Sequence, residues 1–182
     1  ALLKKAAALD IALICPLHGP VLREDLGHYI GLYDKWSRYE PEIDGVFIAY
    51  ASIHGNTAQA ARRLADLLAR RGVAVKAADL ARADLSACVA DAFQYSTLVC
   101  ASASYDGGLF PPMEDFLHHL RAKTFRNRRA ALVENGTWAP SAGKCMRALL
   151  EEMKGIQLRE EPVLVPSTLK PETEAALEAL AE

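Results

Sequence analysis

Three short segments of this chain hold residues whose types and spacing suit the capture of a small anionic ligand. The first, Ser52-Ile53-His54-Gly55-Asn56-Thr57, places hydroxyls, an amide and an imidazole directly before a segment of helical period. The N–H groups of a first helical turn lack intrahelical acceptors and lie at the positive end of the macrodipole, so they attract anions. Gly55 and Asn56 tolerate positive φ, which lets the segment curl and aim its N–H groups inward. No Lys or Arg lies within it. A single phosphate monoester held by neutral donors suits that composition. A nucleoside triphosphate with Mg²⁺ calls for G-x-x-x-x-G-K-[ST] and a dinucleotide for G-x-G-x-x-G, and neither motif occurs. Taken alone, the segment reads equally well as an ordinary turn capping a helix.

The second segment, Ser102-Ala103-Ser104-Tyr105-Asp106-Gly107-Gly108, has small residues that let a planar ligand approach the backbone, and Tyr105 to cover a ring face. The third, Glu134-Asn135-Gly136-Thr137-Trp138-Ala139-Pro140, adds Trp138 and further backbone donors near Gly136. A lone loop aromatic is usually packing. Together the three segments describe a site for a phosphorylated flat heterocycle. Other reactive residues are less promising. His118 and His119 adjoin on a helix and so point apart, and His28 belongs to a connector. Cys15, Cys88, Cys100 and Cys145 form no C-x-x-C pair, and read as buried thiols of a reducing cytoplasm.

The elements that must position these segments follow from the hydrophobic period. Val46–Tyr50, Val73–Ala78, Thr97–Ala101, Ala130–Val133 and Pro162–Val165 are strand-like, several of them continuously apolar as strands covered on both faces are. Helical stripes alternate with them: Ala61, Leu64, Ala65 and Leu68; Leu85, Cys88, Val89 and Phe93 behind an Asp84 cap; Met113, Phe116, Leu117 and Leu120 behind Pro111-Pro112; Met146, Leu149, Leu150 and Met153; and Ala176, Leu177 and Leu180. Gly72 suits the end of the first of these helices. Five strands alternating with five helices predict an α/β fold, a doubly wound parallel sheet of order 2-1-3-4-5 with helices on both faces. In such sheets ligands bind at the carboxyl ends of the strands, where the three segments fall. The 182 residues carry 21 Lys+Arg against 23 Asp+Glu and no membrane-length apolar run, so neither a nucleic-acid surface nor a membrane span is expected.

Here the motifs resemble those of a known family. S-I-H-G-N-T is similar to the phosphate loop of flavodoxins, S-A-S-Y-D-G-G-L-F-P-P resembles the second flavin loop of the flavodiiron proteins, and E-N-G-T-W-A-P-S-A-G-K resembles their third. The resemblance implies a flavodoxin-like FMN domain over residues 45–182. It implies the phosphate at Ser52, His54, Gly55, Asn56 and Thr57, with Ile53 in the same loop, and the isoalloxazine between the second and third loops. The departures are Ala103 for Pro, Asp106 for Asn, and His54 for the usual hydroxyl.

Residues 1–14 read as a short helix followed by a strand-like Ile11–Ile14, and 21–44 as a helical connector. I-A-L-I-C-P-L-H-G-P-V-L-R resembles the end of the metallo-β-lactamase-like domain of flavodiiron proteins. Residues 1–44 are then its remnant plus a linker, and His18 the last ligand of a di-iron centre in the full-length protein. One His makes no metal site by itself, and no H-x-[HE]-x-D cluster supplies partners. The resemblance implies relay of electrons from a rubredoxin-like or flavin reductase partner, through FMN, to a di-iron site outside this chain that reduces O₂ or NO in a homo-oligomer. The alternatives are a standalone flavodoxin-like carrier or quinone reductase, and a flavin-free receiver-like module. The latter is disfavoured by Ala101 and Ala51-Ser52, where acidic residues are required.

Overall fold

The computed structural model describes residues 2–6 and 8–182; Ala1 and Ala7, within the first expected helix, lie outside the described residues. The chain divides into two compact units, Ala1–Glu42 and Ile43–Glu182. In the first, α1 (Leu2–Ala6) and α2 (Leu26–Ser37) are separated by irregular chain. The expected strand Ile11–Ile14 is reduced to a single antiparallel bridge, Ile14 with Leu22. Pro16 and Pro20 flank the turn between them, and a ladder cannot extend through residues without N–H donors. None of this unit's described side chains is buried.

The second unit runs β1 (Ile43–Ala51), α3 (Asn56–Arg70), β2 (Ala74–Asp79), α4 (Leu85–Gln94), β3 (Tyr95–Tyr105), β4 (Gly108–Leu109), α5 (Pro111–Ala122), β5 (Arg129–Asn135), α6 (Ala142–Glu151), β6 (Gln157–Leu158), β7 (Val163–Val165) and α7 (Pro171–Leu180). The sheet order is β2-β1-β3-β5-β6, with β4 antiparallel on β3 and β7 parallel on β5. Counting β6 and β7 as two stretches of one edge, the parallel strands follow the expected 2-1-3-4-5. Seven strands replace the five expected, for two local reasons.

The first is a hairpin. Asp106 and Gly107 take φ of 49° and 69°, the paired positive values of a two-residue turn whose twist matches the flanking strands. Ser104 and Tyr105 therefore pair with Leu109 and Gly108, and β3 extends through what reads as a loop. The second is a broken edge. Arg159-Glu160-Glu161-Pro162 interrupts the last strand, and Arg147 donates to the carbonyls of Arg159 and Glu160 that the ladder leaves open.

The continuous apolar runs are explained by helices on both faces. Phe47 and Ala49 of β1 face a cluster with Met113, Phe116, Leu120 and Met146 of α5 and α6; Val46, Ile48 and Tyr50 face Ala61, Leu64 and Leu68 of α3 and Leu177 of α7. Local signals hold too. The Asp84 carboxylate accepts from Ala87 N at 3.0 Å at the start of α4, Pro111 and Pro112 open α5, and Gly72 follows α3 at φ 75°. The cysteines divide: Cys88 and Cys100 are buried, Cys145 is half-buried, and Cys15 is exposed, contrary to expectation, in a unit none of whose described side chains is buried. Burial pushes the Cys100 thiol up to about 12. Among the described residues, no helix is long and apolar enough to cross a membrane.

Candidate functional site

At the carboxyl ends of β1, β3, β5 and β7 lies a cavity of about 310 Å³. The segment after β1 contributes Ser52, Ile53, His54, Asn56 and Thr57; the end of β3 contributes Ala103 and Ser104; the loop after β5 contributes Asn135, Gly136, Thr137 and Trp138. The three segments singled out by residue type thus converge on one space. Sequence reasoning missed a fourth contributor, Ser167, which follows β7 at φ 73°. Pro166-Ser167-Thr168 looks like any polar loop, and only its place after the fifth strand marked it.

Ser52 Oγ accepts from Gly55 N at 3.0 Å and folds the first segment back on itself. Gly55 takes φ 89°, a left-handed conformation that costs glycine little, and occupies the N-cap of α3 without a side-chain capping bond. Thr57, in the first turn, is buried. The leading N–H groups of α3 therefore meet the cavity with no capping side chain in the way.

The N-terminus of α6, at the same end of the sheet, is built the opposite way. Ser104 Oγ accepts from Ser141 N at 2.9 Å and from Ala142 N at 3.1 Å, and the Glu134 carboxylate accepts from Gly143 N at 2.8 Å. Gly143 leaves room for that carboxylate, since a Cβ there would meet Glu134 Cδ at 2.9 Å. The donors of α6 are committed to the protein. Those of α3 are the ones available to a ligand.

The loop after β5 is fixed on both sides. Asn135 Nδ2 donates to Ser167 O at 2.8 Å, and Ser141 Oγ donates to Gly108 O at 2.8 Å. Between these anchors Ala139 takes φ 39°, and Trp138 is 92% exposed. A large apolar ring is thereby held in solvent at the cavity's rim. No Lys or Arg is among the lining residues, and His54 is the one titratable side chain among them.

Six of the expected ligand-binding residues are outside the lining. Gly55 shapes the turn; Ser102 is fully buried, its hydroxyl donating to Ala103 O at 3.1 Å. Asp106 and Gly107 form the hairpin tip, Gly108 lies in β4, and the half-exposed Tyr105 packs on Phe110 with ring centres 5.7 Å apart. His18 is exposed. Among the described residues, no group of three or more His, Cys, Asp or Glu is placed to hold a metal ion.

No family model matches the sequence. A diflavin flavoprotein A 2 of Synechocystis is 28% identical over 186 residues, covering 98% of this chain and 30% of the relative. An anaerobic nitric oxide reductase flavorubredoxin of Aeromonas hydrophila is 28% identical over 140 residues, covering 74% of this chain and 27% of its own length. Among solved structures, the rubredoxin oxygen:oxidoreductase of Desulfovibrio gigas superposes with a TM-score of 0.88 at 20% identity, covering 99% of this chain and 45% of that one. The chain thus spans about 30% of the length of the curated relatives it matches.

Proposed function

We propose that this chain, whose homologues are flavodiiron proteins, is a flavodoxin-like electron-transfer domain that takes FMN. The observation that carries the proposal is the uncapped N-terminus of α3, opening into a cavity without lysine or arginine and rimmed by an exposed tryptophan. Those residues fit the group. Ser52, His54, Asn56, Thr57 and the first-turn N–H groups would hold its phosphate, matching one dianion with a helix end and neutral donors. Ile53 and Trp138, both exposed, offer apolar surface for the ring, and the backbone at Ala103, Ser104, Asn135, Gly136 and Thr137 offers polar groups for its edge. When bound, FMN supplies one- and two-electron transfer, and the protein's part is to hold the ring, shield it from water and tune it. Ser102 and the hairpin Tyr105-Asp106-Gly107-Gly108 act as support, since Gly108 O and Ser104 Oγ both hold Ser141 at the start of α6.

Residues 45–182 form the flavin domain in this reading, and residues 1–44 the end of a metallo-β-lactamase-like domain with its linker. The absence of any buried described side chain in 1–42 supports that division, because such a stretch needs cover from elsewhere. The chain spans about 30% of the length of its curated relatives, and a di-iron centre reducing O₂ or NO would lie in a longer protein of which this chain is one part. A rubredoxin-like donor fits the names of the relatives, flavorubredoxin and rubredoxin oxygen:oxidoreductase, and a flavin reductase is the alternative donor in this reading. Homo-oligomerisation and a cytoplasmic location complete the proposal.

Titration of the purified chain with FMN, read by quenching of flavin fluorescence, should saturate at equimolar flavin. Asn56→Asp sets a carboxylate against the phosphate and should weaken binding about tenfold or more, some 1.4 kcal/mol. Flavin that stays unquenched at high micromolar protein overturns the reading.

A further inference from the structure

His54 is the one ionisable side chain among the residues lining the cavity, and it precedes the uncapped N-terminus of α3. Across the cavity it faces Ala103 and Ser104 from β3, Asn135, Gly136, Thr137 and Trp138 from the loop after β5, and Ser167 after β7, none of them charged. Charged groups on the surrounding elements are held outside that lining. Asp79, at the end of β2, pairs with Arg82 at 3.6 Å; Glu134 holds Gly143 N; and Arg63 of α3 pairs with Glu174 and Glu178 of α7. Arg62 lies further along α3, Asp106 at the hairpin tip, and Lys170 and Glu172 at the start of α7. Charge to balance a bound phosphate therefore has two sources at the cavity wall, the helix end and His54.

We propose that His54 is the specificity-determining residue of this cavity: once protonated it is the side-chain cation for the ligand's phosphate, so preference for phosphorylated over unphosphorylated flavin depends on pH. The proposal rests on reading the cavity as a flavin phosphate site.

Linkage fixes the sign. A dianion beside an imidazole favours the imidazolium, so phosphate binding and protonation support each other. The added affinity is present while the imidazole carries its proton and is lost as pH rises. Histidine is the side chain that ordinarily changes charge between about pH 5 and 8. A phosphate monoester takes up its own proton near pH 6, which opposes the trend at the acid end. Affinity for FMN should therefore be greater at mildly acid than at alkaline pH. It should fall by roughly fivefold toward pH 8.5, the upper range for a solvent-exposed charge pair. Riboflavin, which has no phosphate, should show no such slope.

The test measures dissociation constants of FMN and riboflavin on the full 182-residue chain from about pH 6.5 to about pH 8.5. Wild type is compared with His54→Gln, which keeps a polar side chain without a titrating one, and His54→Arg, which is cationic throughout. The FMN-over-riboflavin preference should fall roughly fivefold with rising pH in wild type, stay low without falling in His54→Gln, and stay high without falling in His54→Arg. A wild-type preference that does not fall with pH, or the same fall retained in His54→Gln, overturns the role of His54 and leaves the flavin reading standing. If wild type binds FMN at no pH, both fall.

Discussion

Trp138 shows how a single residue can be expensive unless it has a partner. Its ring is 92% exposed, yet its loop is tied down through Asn135 on one side and Ser141 on the other. Fixing a loop to display an apolar ring gains no burial within this chain. The gain arises when a flat ligand covers it, and stacking against an aromatic ring is worth about 0.5–1.5 kcal/mol beyond the area buried. Trp138→Ala should thus weaken FMN binding by about threefold to tenfold. It should also relieve quenching of the remaining bound flavin and shift its reduction potential, while leaving the melting temperature of the flavin-free chain unchanged within about 1 °C. Unchanged quenching and potential would remove Trp138 from the site.

At the scale of elements, α6 and the end of β5 hold each other in place. Glu134 is a cap contributed from a strand, and Gly143 exists to admit it, with a prospective Cβ only 2.9 Å from the carboxyl carbon. A lost cap of this kind costs about 1 kcal/mol, which for a domain of this size lowers the melting temperature by about 2–4 °C. Glu134→Ala should do so, Glu134→Gln less, and Gly143→Ala comparably by expelling the carboxylate. The double variant Glu134→Ala/Gly143→Ala should then cost clearly less than the sum of the two. Additive losses in thermal denaturation would show that the two positions act independently. This coupling was invisible in the sequence, where Glu134 and Gly143 are unremarkable and nine positions apart. What was legible had short-range causes. The alternating faces of β1, the Asp84 cap and the glycine after α3 each follow from a few neighbouring residues. The β3–β4 hairpin was legible in principle, since Asp106-Gly107 is a strong turn signal, but the same residues also suit a ligand loop. The convergence of Ser52–Thr57 with Gly136–Trp138 followed from the parallel order. Ser167 was marked by that order alone, because nothing in its neighbours sets it apart.

For the molecule as a whole, the distribution of buried surface is uneven enough to predict how the chain comes apart. Residues 43–182 enclose two apolar clusters, one on each side of the sheet. Residues 1–42 have no buried described side chain and expose Leu9, Leu17, Tyr33 and Trp36. Local opening needs least free energy where few apolar contacts are lost, so the first unit should open at a small fraction of the cost of global unfolding. Opened backbone is what a protease requires. Limited trypsin treatment should therefore cut first at sites such as Arg23, Lys35 or Arg38 and leave a resistant fragment beginning near Ile43. That fragment should retain both the cavity and FMN binding, because every lining residue lies in the second unit. Mass spectrometry of the earliest products decides the matter. First cuts after Arg70, Arg121 or Arg147, inside the second unit, would mean that the amino-terminal stretch is held far more firmly than its burial allows.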